Sequence, residues 1–134
     1  MAVNFEFKDR YDFNDLVQIV RILREPGGCP WDMEQTHQSI RENFLEETYE
    51  VIEAIDTNNK ELMQEELGDV LLQVLMHSDM ARTEGWFTID DVANDICAKL
   101  IVRHPHVFGD VTVNSTGNEK KNWDDIKRQT KKQR

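Results

Sequence analysis

Two short acidic runs, Glu46-Glu47-Thr48-Tyr49-Glu50 and Glu65-Glu66-Leu67-Gly68-Asp69, lie in stretches whose apolar residues recur with a helical period. At about 100° per residue, Glu47 and Glu50 border an apolar face made by Ile40, Phe44, Thr48, Val51, Ile52 and Ile55, while Glu46 and Glu53 point further out. The second run opens a segment, Leu67 to Met76, that is apolar almost all round and is expected to be deeply buried. Through it runs a polar stripe of Glu66, Asp69, Gln73 and His77, spaced i, i+3, i+7 and i+11. Carboxylates in such surroundings are costly unless a cation compensates them. A salt bridge to Lys or Arg is one solution and a divalent metal is the other. Four carboxylates from two facing helices, Glu47, Glu50, Glu66 and Asp69, form an all-oxygen set that suits Mg²⁺ or Mn²⁺ and suits zinc poorly. Mg²⁺ completes its octahedron with water and phosphate oxygens, so the pattern points toward phosphate chemistry.

The elements that must position these groups are helices. Asn14 is a candidate cap for a first helix in which Leu16, Val17, Val20 and Leu23 keep 3–4 spacing, and Pro26-Gly27-Gly28 stops it. Cys29-Pro30-Trp31-Asp32 reads as a loop, with Trp31 either plugging its base or lining a bound aromatic group. Thr36 or Ser39 caps a second helix running to about Asp56, and Asn58 or Asn59 caps a third from about Lys60 to Arg82. The short polar connection makes these two antiparallel neighbours and brings the two acidic runs to similar height. Thr88-Ile89-Asp90-Asp91 opens a fourth helix that ends near Arg103, ahead of Pro105. Lys99 and Arg103 share one side of it at i, i+4. Residues 109–122 read as a flexible loop and 122–134 as a basic final helix. The expected architecture is all-α: a four-helix bundle with an additional C-terminal helix, in one domain spanning 1–134. The third helix is apolar over more of its circumference than a small bundle covers, which points to a homodimer or higher homo-oligomer.

Composition narrows the classes. The 134 residues carry a net charge of −10. Seven of the 16 Lys and Arg fall in residues 120–134, so the preceding body is more acidic still and lacks the basic surface that nucleic-acid binding needs. No apolar run is long enough to span a bilayer, and the N-terminal residues lack a signal-peptide pattern. Cys29 and Cys97 form no metal or redox motif, which fits a reduced, cytoplasmic setting. His104-Pro105-His106 has no third ligand nearby in sequence for a zinc site.

The pattern E-E-x-x-E followed by E-x-x-D on the next helix resembles the MazG family of nucleoside triphosphate pyrophosphohydrolases. The likeness extends to Gly28-Cys29-Pro30-Trp31-Asp32, Gln35-Thr36-His37 and Arg103-His104-Pro105-His106-Val107-Phe108, in the family's order and over roughly residues 14–128. It implies a dimeric all-α fold that hydrolyses a (deoxy)nucleoside triphosphate between the α- and β-phosphates, and the chain is most like the N-terminal copy of two-domain members. On that resemblance Glu47, Glu50, Glu66 and Asp69 hold Mg²⁺, Glu46 or Glu47 accepts the proton of the attacking water, and Lys99 and Arg103 steady the outer phosphates. Trp31 is then a candidate neighbour of the base. Two other readings stay open: a related all-α pyrophosphatase acting on dUTP, dCTP or phosphoribosyl-ATP, and a non-catalytic dimeric nucleotide-binding module.

Overall fold

In a computed structural model, which describes residues 3–110, the chain is built from helices. They are α1 (Phe13–Arg24), α2 (Pro30–Glu34), α3 (His37–Asp56), α4 (Lys60–Thr83), α5 (Ile89–Arg103) and α6 (Pro105–Phe108). The chain divides near Ile89 into two compact units, and the first, residues 1–89, holds α1 to α4. From residue 111 on, the expected loop over 109–122 and the final helix lie outside the described residues.

Local chemistry sets most helix ends. Asp12, not Asn14, caps α1: its side chain accepts from the Asp15 amide while Asp15 accepts from the Asp12 amide. Both positions offer a suitable acceptor, and the reciprocal pair with Asp15 selects Asp12. Thr36 caps α3 in the same reciprocal way with Ser39, and Asn59 caps α4 through the Leu62 amide. The turn between α3 and α4 closes with Asn58 at a φ of 54°, a left-handed conformation that Asn tolerates. The stretch expected as a loop after α1 forms the single turn of α2, because Pro30 at its first position arrives with helical φ and no amide to satisfy. The turn leading into it is tight. Cys29 donates its amide to the Leu23 carbonyl at 2.8 Å, and a Cβ on Gly28 would collide with the carbonyls of Ile22 and Leu23.

The core of the first unit is formed by Val20 of α1, Ile40 of α3, and Leu75, Met76 and Met80 of α4. Two expectations shift here. On α3 the residues turned inward are Ile40, Phe44, Glu47, Val51 and Ala54, whereas Thr48, Ile52 and Ile55 are exposed. A wheel that maximises apolar content averages two faces: one that packs on α4 and another that carries Leu45, Tyr49, Ile52 and Ile55 outward. On α4 deep burial begins at Gln73 and continues to Ala81, while Leu67 keeps 50% of its surface. The apolar excess of the hairpin is therefore on α3 rather than around α4.

Candidate metal centre

The α3–α4 hairpin sets the geometry. Glu47 stands nine residues before the end of α3 and Asp69 nine residues after the start of α4. At about 1.5 Å rise per residue both lie at the same height above the turn. Glu66, one turn earlier on α4, completes a cluster in which one carboxylate oxygen from each of Glu47, Glu66 and Asp69 lies within 4.8 Å of the others. All three are half-buried. Glu50, one turn along α3, and Glu46 are exposed.

The electrostatics distinguish the two solutions the sequence left open. The Glu66 carboxyl is pushed up from 4.5 to about 7, first by desolvation and then by the Asp69 charge, a hydrogen bond with Glu47, and the charges of Glu47 and Glu50. A Lys or Arg partner would have moved it down. Three arginines of this unit are engaged elsewhere: Arg24 meets Asp79 at 2.8 Å, Arg82 meets it at 3.0 Å and Arg21 at 3.9 Å. Three acids thus converge, desolvated first and mutually repelling second, and they fit a small divalent cation. Two oxygens on opposite sides of Mg²⁺ are about 4.1 Å apart, so the cluster closes on an ion by less than about 1 Å. Oxygen-only ligands suit Mg²⁺ or Mn²⁺.

The remaining residues singled out from sequence are placed as follows. Trp31 is 73% exposed on α2, where its carbonyl accepts from the Gln35 amide group at 3.0 Å. Lys99 and Arg103 lie on α5, Lys99 half-buried and Arg103 buried. Sequence reasoning missed the buried Asp79 with its three arginines, and the contact of His37 with His77, whose Nδ1 atoms are 2.7 Å apart. The local signal for the first was an acid between Ser78 and Met80 in the most apolar part of its helix. Burial, and then the neighbouring His37, hold His77 below the usual imidazole range. One ring donates its Nδ1 proton and the other accepts it.

Among the described residues, helices with a three-carboxylate cluster across an antiparallel hairpin define a class of helical domains with an acidic centre able to hold a cation. The chain belongs to a particular family within it: the MazG nucleotide pyrophosphohydrolase domain, whose profile matches residues 35–108. It is 55% identical over 119 residues to the nucleoside triphosphate pyrophosphohydrolase/pyrophosphatase MazG of Thermotoga maritima, covering 89% of this chain and 45% of that protein. It is 51% identical over 121 residues to the uncharacterized protein YabN of Bacillus subtilis, covering 90% of this chain and 25% of that protein. The nucleoside triphosphate pyrophosphohydrolase of Escherichia coli is 42% identical over 120 residues, which is 89% of this chain and 46% of that protein. The chain thus spans between a quarter and about half the length of these relatives. The crystal structure of a MazG-related protein from Thermotoga maritima superimposes with a TM-score of 0.70 at 26% identity, covering 86% of this chain and 98% of that one. No helix among the described residues is long and apolar enough to cross a membrane.

Proposed function

We propose that this chain hydrolyses (deoxy)nucleoside triphosphates between the α- and β-phosphates, giving the monophosphate and pyrophosphate in a Mg²⁺-dependent reaction. The observation that carries the reading is the convergence of Glu47, Glu66 and Asp69 within 4.8 Å, in a member of the MazG domain family. Glu47, Glu66 and Asp69 are the inner ligands, and Glu50 joins them from the next turn of α3. A bound divalent ion supplies charge neutralisation at the triphosphate and a more acidic attacking water. Glu47, or its neighbour Glu46, accepts the proton of that water. Lys99 and Arg103 are the cations assigned to the β- and γ-phosphates on the family resemblance of the 103–108 segment and its helix. Trp31, exposed on α2, is available to the nucleoside.

The exposed apolar face of α3, formed by Leu45, Tyr49, Ile52 and Ile55, supports a homodimer as the working form, since a surface of this kind is covered in stable proteins. The deciding experiment is a panel of ribo- and deoxynucleoside triphosphates with Mg²⁺ or EDTA, with each product identified. Metal-dependent monophosphate formation supports the reading, and the ranking across the panel names the substrate. Diphosphate as the product, or binding without turnover, removes it.

A further inference from the structure

Further from the hairpin turn, a second constellation stands apart from the three-carboxylate cluster. The rings of His77, His37 and Trp86 run in near-parallel planes, with His37 joined edge to edge to His77 through their Nδ1 atoms. His37 lies 4.9 Å from His77 at 12° between planes, and Trp86 lies 5.4 Å from His37 at 13°. Trp86 is 62% exposed, so much of its indole surface is open. Beside it is a cleft of about 300 Å³, bordered by Arg24, His37, Gln38, Thr83, Glu84 and Trp86. That volume is at the lower end of the small-ligand range.

Two of the side chains that border the cleft each carry a buried polar atom without a hydrogen-bond partner: Nε of Arg24 and Nε2 of His37. The Arg24 side chain is only 8% exposed and held by Asp79 through Nη1, so its Nε is a fixed donor with no mate. His37 spends Nδ1 on His77, which leaves Nε2 as its second hydrogen-bonding position in either tautomer. Orphaned buried polar atoms are expensive, and they mark places where something else is bound. An open aromatic face beside fixed donors and the Glu84 carboxylate suits a planar heterocycle that presents a hydrogen-bonding edge.

We infer that this cleft is the base-reading subsite for the nucleotide, with the base stacked on Trp86 and its edge met by Arg24 and His37. The inference rests on the proposed triphosphate chemistry at the carboxylates. Asp69 to His77 is eight residues along α4 and Glu47 to His37 is ten along α3, so the two sites are separated by roughly 12–15 Å. Gln73, buried between them on α4, also has its Oε1 unpaired. Because Arg24 only donates, the edge it reads must offer an acceptor, as the N7 and O6 of guanine do.

The test uses the full chain and two kinds of probe. Titration calorimetry with AMP, GMP, CMP and UMP in EDTA reports on the base, and Mg²⁺-pyrophosphate reports on the phosphate end. Trp86→Ala, at an exposed position, should weaken monophosphate binding by roughly five- to a hundredfold and leave Mg²⁺-pyrophosphate binding unchanged. Trp86→Phe should restore most of the loss. If Trp86→Ala keeps wild-type monophosphate affinities and the wild-type ranking of triphosphates, the subsite is overturned while the hydrolysis reading stands. The subsite is equally overturned if Trp31→Ala alone changes them. Trp86-dependent binding without any turnover in the wild type would keep the subsite and remove the hydrolysis reading.

Discussion

At the scale of single residues, Glu66 couples the acidic cluster to pH. Its carboxyl is raised from 4.5 to about 7 by desolvation and by its acidic neighbours. The metal-free folded state therefore keeps a proton that the unfolded chain releases above about pH 4.5. The contribution to stability is full below that pH and is lost as pH rises through about 7. Melting temperatures in EDTA between about pH 5 and 8 should show this decline, and Glu66→Gln should remove that component. Mg²⁺ binding should run the other way, weakening below about pH 7 as the proton competes for the ligand. Asp69→Asn acts on a proposed metal ligand, so it should lower turnover by at least ~100-fold, the upper end of the range for outer-shell changes. Its circular dichroism should remain that of the wild type. The sequence carried these acids plainly, since i, i+3 spacing of Glu47 with Glu50 and Glu66 with Asp69 is a local property. That Glu47 rather than Glu50 enters the inner cluster is not local. It depends on how α3 is rotated against α4, and a helical wheel places both on one border.

At the scale of elements, the first unit depends on how α1 and α4 are tied together. Asp79 is buried with Arg24, and Arg82 and Arg21 close around it. Removing one partner of such a pair leaves an uncompensated buried charge, so Asp79→Asn should cost about 3–5 kcal/mol in chemical denaturation. The turn after α1 gives a second check. A methyl group on Gly28 meets the backbone of α1 rather than a yielding side chain, so Gly28→Ala should cost about 1–3 kcal/mol. Helix ends at Thr36 and Asn59 are readable because a cap is settled within a few residues. Partners 40 and 55 positions apart, as in His37–His77 and Arg24–Asp79, leave no periodic trace in the sequence. The single turn of α2 is equally silent, because five residues are too few to show a helical period.

At the scale of the molecule, the exposed α3 face predicts assembly. Ile52→Glu, placed in the middle of the Leu45–Ile55 surface, should shift sedimentation from dimer to monomer, and an unchanged dimer would move the interface elsewhere. The all-helical architecture follows from periodicity, and the family from four short segments in register. The apolar excess is visible in composition, but periodicity alone places it on α4, because the sequence does not say which apolar face its own chain covers. The central claim is tested most directly by the products of one nucleoside triphosphate with Mg²⁺, in the wild type and in Asp69→Asn. Equimolar monophosphate and pyrophosphate are expected, lost in EDTA and lost in the folded variant. Diphosphate with inorganic phosphate, or undiminished activity in Asp69→Asn, would contradict that claim.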